Sequence, residues 1–158
     1  MDKIASFQMD HEKLLPGLYV SRKDTWNGVT ITTFDMRMKA PNREPVMDMP
    51  VMHTLEHLAA TYMRNDPKFG PKMVYFGPMG CRTGCYFLME GDLNPSDVLD
   101  LVIKTLDWIL AFEGEIPGAK PKECGNYLEH NLNTTKYEAK KYVELLRHAT
   151  EANFSYPK

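Results

Sequence analysis

The sequence predicts an α+β fold, an antiparallel β-sheet with helices packed on it. Two observations predict it. Short segments rich in β-branched and aromatic residues come in pairs joined by turn residues, and the pairs are separated by single stretches with helical periodicity. Hairpins alternating with lone helices favour an antiparallel sheet covered by helices. At 158 residues the chain reads as one catalytic-size domain, 1–158, long enough to bury a core without disulfide staples.

Leu18 to Ser21 and Val29 to Met38 read as the first strands, joined by a turn around Asp24 to Gly28. In the second strand Thr30, Thr32, Phe34, Met36 and Met38 share one face, and Ile31, Thr33, Asp35 and Arg37 share the other. The connection Pro41-Asn42-Arg43-Glu44-Pro45 leads to Asp48, an N-cap residue type, with Pro50 tolerated in a first helical turn. That helix should stop at Asn65-Asp66-Pro67. Met73 to Phe76 and Cys85 to Glu90 read as two further strands, with Gly77-Pro78-Met79-Gly80 forcing a tight connection before Cys81. Asn94-Pro95-Ser96-Asp97 is a helix start, and the pattern Val98, Leu101, Val102, Leu106, Ile109, Leu110 runs toward Gly114. A last helix is expected over Thr135 to Glu151, burying Tyr142, Val143, Leu145 and Leu146. Trp108 and Tyr142 read as core rather than as cofactor contacts.

The formal net charge is −2 and the pI about 6.2. Lys and Arg are scattered, so the composition makes no electrostatic case for nucleic acid or a membrane surface. No apolar run reaches transmembrane length, and Met1-Asp2-Lys3-Ile4-Ala5-Ser6 lacks the apolar stretch of a signal peptide. Three cysteines make no disulfide framework, which fits a reducing cytoplasm.

His53-Thr54-Leu55-Glu56-His57 carries the most chemistry. A helix advances roughly 100° per residue, so His53, Glu56 and His57 fall within an arc of roughly 100°. The two imidazoles then stand one turn apart, where one cation can bridge them, with Glu56 beside it as an acid/base. The order H-x-x-E-H is used by metalloenzymes, as is its reverse. The plainer reading is an ordinary helix face. Two of five histidines at this spacing with a glutamate between them favour the metal site.

A catalytic site of this type uses three protein ligands and keeps a position open. The third ligand must come from outside the helix: Cys81, Cys85, Cys124, the other histidines and several carboxylates are candidates. Cys124 stands in the polar, glycine-flanked loop Lys122-Glu123-Cys124-Gly125. Cys81 and Cys85, if the chain between them is extended, lie roughly 13 Å apart, beyond disulfide reach. Cys81, between Gly80 and Arg82, sits where backbone can approach a ligand, and a cationic neighbour or metal favours its thiolate. Cys85 opens a strand and reads as packing.

Together, His53-Thr54-Leu55-Glu56-His57, Gly77-Pro78-Met79-Gly80-Cys81-Arg82-Thr83-Gly84 and Glu123-Cys124-Gly125 resemble the S-ribosylhomocysteine lyase (LuxS) family. Ser6-Phe7-Gln8-Met9-Asp10-His11 and Thr33-Phe34-Asp35-Met36-Arg37 are similar to its opening segments, and all occur in the family's order. The resemblance implies cleavage of S-ribosylhomocysteine to homocysteine and 4,5-dihydroxy-2,3-pentanedione, the autoinducer-2 precursor. It implies that His53, His57 and Cys124 hold one Fe(II) per subunit, replaceable by zinc or cobalt, and that Cys81 and Glu56 transfer protons. It further implies that Ser6, His11 and Arg37 lie near the substrate, in a homodimer with active sites at the interface. Two positions depart from the family's pattern: Tyr75, where many members carry an aspartate, and Cys85, where a tyrosine or another residue is commoner.

The residue types suit that reaction. The thioether cannot simply be hydrolysed; the sugar carbonyl must first migrate from C1 to C3. A Lewis acid at the carbonyl stabilises the enediolate by several kcal/mol. A thiolate such as Cys81 can shuttle the protons, typically for roughly 10²–10⁴ in rate. Once the carbonyl reaches C3, homocysteine can leave by β-elimination, with Glu56 as base. Two alternatives stand beside this one. An H-x-x-E-H metallopeptidase would use Glu56 to activate water, but its usual third ligand is a downstream glutamate and it has no use for Cys81. A non-catalytic metal protein would want a fourth ligand, which Cys81 would have to supply.

Overall fold

The computed structural model describes the chain apart from Met1, Lys3, Ala5, Ser6 and Lys158. Strands β1 (Gly17–Trp26) and β2 (Val29–Arg37) form an antiparallel hairpin. Its turn is Asn27-Gly28, with φ of 50° and 80°, the left-handed pair that suits a two-residue hairpin loop. A second pair, β3 (Met73–Pro78) and β4 (Gly84–Glu90), joins through β4 against β2, giving the strand order β1-β2-β4-β3 with every neighbour antiparallel. The expected α+β class is the observed one.

The first strand runs past Ser21, where the sequence reading ended it. The register shifts between Val20 and Arg22, and pairing then continues to Trp26 opposite Val29. Beyond this bulge most residues face solvent, so no burial pattern marks the extension; ladder hydrogen bonds alone carry it. The turn is correspondingly confined to Asn27 and Gly28.

Helix α1 (Met49–Asn65) has Pro50 in its first turn and Asp48 at the N-cap, although the Asp48 side chain makes no capping hydrogen bond. It ends where expected: Asp66 takes extended backbone, φ −65° and ψ 127°, as the residue before Pro67 must. Helix α2 (Pro95–Ala111) opens with the Asn94 N–H donating to the Asp97 carboxylate at 2.7 Å. Helix α3 (Leu132–Arg147) begins before Thr135 and ends short of Glu151. The Asn131 side chain accepts from the Thr134 N–H at 3.0 Å and sets the earlier start. Glu151–Asn153 forms a separate 3-10 turn. Among the described residues no helix is long and apolar enough to cross a membrane.

One face of the sheet meets the helices. Phe34 pairs with Phe87 and Met36 with Cys85 across β2 and β4. These residues join Leu55, Leu58, Val102, Leu106, Tyr142 and Val143 in one buried cluster. Tyr142 donates to the Gly17 carbonyl at 2.7 Å, while half-buried Trp108 packs against Tyr62 and Phe112. The opposite face presents Asp35, Arg37, Tyr86 and Leu88. Asp35 and Arg37 are nevertheless 0% and 2% exposed, and two hydrogen bonds of 3.1 and 2.7 Å between them offset the cost of burying both charges.

Candidate active site

Helix α1 turns Val51, Met52, Leu55, Leu58 and Ala59 into the core. The same rotation leaves His53, Glu56 and His57 half-buried on its outer face. The loop between α2 and α3 folds back over them. His53 Nδ1 lies 2.9 Å from the Glu129 carbonyl, and His57 Nδ1 lies 2.7 Å from the Pro117 carbonyl. A carbonyl only accepts, so both Nδ1 atoms carry the proton and both Nε2 atoms present lone pairs. Gly118 makes the second contact possible. Its φ is +74°, and a Cβ there would stand 3.1 Å from His57 Nδ1.

Cys124 completes the group, with Sγ 3.3 Å from His53 Nε2 and accepting from the Asn126 N–H at 3.4 Å. One ligand atom from each of His53, His57 and Cys124 falls within 4.8 Å of the others. Two neutral imidazoles and a sulfur converging on one point fit a divalent cation at about 2.0–2.3 Å from each. Among the described residues these three form the group that can hold a metal; neither Cys81 nor Cys85 belongs to it, so the fourth ligand of a closed structural site does not come from them.

A third histidine packs on the group. His130 stacks on His53 at 4.3 Å between ring centroids and meets His57 edge-on at 5.0 Å. Thr54 anchors it. The Thr54 hydroxyl donates its one proton to the Pro50 carbonyl at 2.8 Å and accepts the Asn131 N–H at 2.9 Å. His130 Nδ1, 3.1 Å away, is therefore the donor in the remaining contact. Burial, and then the neighbouring His53 and His57, push the His130 imidazole below its ordinary value.

Cys81 lines a separate cavity nearby. Glu56 lines the cavity holding His53, His57 and Cys124 and also an adjoining one with Met52, Pro78 and Asn126. Pro78 in turn lines a third cavity with His11, Arg37, Cys81 and Tyr86. The loop carrying Cys81 is tightly stitched: the Met79 N–H bonds the Gly84 carbonyl and the Arg82 N–H bonds the Met79 carbonyl, both at 2.9 Å. Arg82 takes φ +60° to close that turn, a conformation worth roughly 1–3 kcal/mol of strain in a residue with a Cβ. Gly84 is required on steric grounds, since a Cβ would sit 2.2 Å from the Met36 carbonyl oxygen.

Arg37 Nη1 is 3.9 Å from Cys81 Sγ and 2.7 Å from Thr83 Oγ1. Burial opposes its charge, but the Asp35 carboxylate outweighs that cost and holds the guanidinium above its ordinary value. Asp35 also accepts from the Tyr156 hydroxyl at 2.8 Å. Burial, then Asp35, push the Tyr156 phenol up. Cys85 is fully buried, where desolvation raises its thiol; all three cysteines are free thiols.

The structure thus brings together His53, His57 and Cys124, places Glu56 beside them, and gathers Cys81, Arg37 and His11 around a separate cavity. Ser6 lies outside the described residues. No role was assigned from sequence to Thr83, although it stands two residues from Cys81, or to Tyr156; His130 was only one of the remaining histidines among the candidate ligands, and it and Tyr156 reach the site from distant segments. Asp35 was placed on the strand face it shares with Arg37, but strand alternation alone did not mark it as that arginine's partner.

Comparison with known proteins agrees with this geometry. The family model described as S-ribosylhomocysteinase (LuxS) matches residues 4–153. An S-ribosylhomocysteine lyase of Porphyromonas gingivalis is 57% identical over 158 residues, covering 99% of each chain. One from Phocaeicola vulgatus is 55% identical, covering 99% of this chain and 98% of its own. One from Borreliella burgdorferi is 52% identical, covering 99% of this chain and 100% of its own. With a family match spanning nearly the whole chain and relatives above half identity end to end, this chain belongs to the S-ribosylhomocysteinase (LuxS) family.

Proposed function

We propose that this chain is an S-ribosylhomocysteine lyase, a metal-dependent carbon–sulfur lyase that releases homocysteine and 4,5-dihydroxy-2,3-pentanedione. The observation that carries the reading is the convergence of His53, His57 and Cys124 on one point with Glu56 lining the same cavity. Neighbouring cavities, linked through Glu56 and Pro78, hold Cys81, Arg37 and His11. A divalent cation held by His53, His57 and Cys124 supplies Lewis-acid polarisation of the sugar's oxygens. Cys81 as thiolate takes the proton beside the carbonyl and returns it to the neighbouring carbon, while Glu56 moves the hydroxyl proton to the former carbonyl oxygen, so that two such transfers carry the carbonyl from C1 to C3. Glu56 then removes the C4 proton; the electron pair forms the C4–C5 double bond as the C5–S bond breaks, homocysteine leaves as a thiolate that is protonated, and the enol left behind takes a proton at C5 to give the diketone. Arg37 and His11, lining the Cys81 cavity, bind the substrate, as does Ser6.

The donor set of one thiolate and two neutral imidazoles suits Fe(II), with zinc or cobalt able to replace it. The outer sheet face carries half-exposed Tyr75 at 49% and part-buried Tyr86 and Leu88 around a cavity, support for a homodimer formed on that face. Three free cysteines fit a reducing cytoplasm. The peptidase alternative wants a glutamate as third ligand, and the third member here is Cys124.

The test is anaerobic. Fe(II)-loaded protein should release homocysteine from S-ribosylhomocysteine over many turnovers, and Cys81→Ala and Glu56→Ala should abolish release. No release from folded, metal-bearing protein would sink the assignment.

A further inference from the structure

Cys81 has a cationic neighbour that reaches it only at long range. Arg37 is locked by two hydrogen bonds to Asp35, at 3.1 and 2.7 Å. Asp35 is itself held by Tyr156 at 2.8 Å, whose ring stacks on Tyr19 at 4.7 Å. Fixed in this way, Arg37 Nη1 stays 3.9 Å from the sulfur. Thr83 fills the interval. Its hydroxyl is 2.7 Å from Arg37 Nη1 and 3.1 Å from Cys81 Sγ, and the residue is 5% exposed. A guanidinium has no acceptor, so Thr83 Oγ1 accepts from Arg37 and its single proton is free for the sulfur. The backbone of Thr83 is equally fixed, its carbonyl accepting from the Met38 and Lys39 N–H groups, each at 2.9 Å.

We propose that Thr83 is a positioning residue for this reaction: its hydroxyl relays the pull of Arg37 to Cys81 Sγ and aims the sulfur into its cavity. Its place is at one end of a buried line of polar groups, Tyr156–Asp35–Arg37–Thr83, that ends on the reacting thiol. The inference rests on the lyase reading for its consequence in turnover, but not for its effect on the sulfur.

The experiment compares Thr83→Val, which keeps the shape and loses the hydroxyl, with Thr83→Ser, which keeps the hydroxyl. Two readouts are taken on the metal-loaded protein: the rate of Cys81 alkylation by iodoacetamide at fixed pH against a Cys81→Ala blank, and kcat and KM for homocysteine release. Thr83→Val should lose about tenfold in both alkylation rate and kcat, the scale of one hydrogen bond to a charged group, with KM little changed; Thr83→Ser should restore both. Should Thr83→Val not fold, Thr83→Ala replaces it in the same comparison. Wild-type alkylation in the hydroxyl-less variant, or equal impairment in Thr83→Ser, would overturn the proposal. A wild type that alkylates but releases no homocysteine would instead defeat the lyase reading and leave the alkylation contrast to decide this one.

Discussion

His130 lies flat against His53, ring centroids 4.3 Å apart and planes 20° apart. A ring stacked on an imidazole limits how far that imidazole can swing, and Thr54 pins the stacking ring in turn. His130→Ala should therefore weaken Co(II) binding by about tenfold or more, the usual scale for removing a group that orients a ligand. His130→Phe, which keeps the stack, should retain most of the affinity. Titration of the thiolate-to-cobalt absorption band measures both. Unchanged affinity in His130→Ala would show that the Glu129 carbonyl alone orients His53.

Glu56 is beside the donor set without being part of it. Glu56→Gln should bind metal like the native protein and lose about 10²–10⁴ in turnover, the span of general acid–base catalysis. A matching loss of metal content would reassign Glu56 as a ligand.

Gly118 carries a conformational demand and a steric one at the same point, φ +74° and a virtual Cβ 3.1 Å from His57 Nδ1. Gly118→Ala should cost about 1–2 kcal/mol of stability from the left-handed backbone and displace the Pro117 carbonyl from His57. Chemical denaturation and metal titration of the same variant check the two effects.

Metal binding and stability should be linked. A cation present at about 1,000 times its dissociation constant adds roughly 4 kcal/mol to the folded state. Chelation should lower Tm in the native protein and leave Cys124→Ala, already without its thiolate ligand, nearly unmoved. Differential scanning calorimetry with and without chelator is the measurement.

Glu44 ties the loop before α1, its carboxylate accepting from the Ala40 N–H at 2.8 Å and pairing with Lys141 at 3.4 Å. Burial opposes its ionisation, yet these contacts outweigh it and hold the carboxyl below its ordinary value of 4.5. A depressed folded value means a contribution present above pH 4.5 and lost as pH falls below it. The group is partly solvated, so the contribution is under about 1 kcal/mol. Native protein and Glu44→Gln should differ in denaturant midpoint at pH 7 and converge on acidification; a constant difference would place the effect in packing.

The division between local and distant information runs through particular residues. The His53–His57 spacing, the stop at Pro67 and the Asn94 start are short-range relations, set by helical periodicity and by which residues tolerate helix ends. The α+β class followed from the same level. The strand past Ser21 was illegible because its residues are exposed, and the early start of α3 because Asn131 acts through one side-chain bond. What the chain's own order of residues determined is the helix face carrying His53, Glu56 and His57, the turn carrying Cys81, and the family. The resemblance already paired Cys124 with that helix; only the tertiary structure decided that its Sγ lies 3.3 Å from His53 Nε2, that His130 stacks on His53, and that Thr83 stands between Arg37 and Cys81. Those contacts join segments far apart in the chain, where no periodicity links them and only packing of the finished core sets the distance.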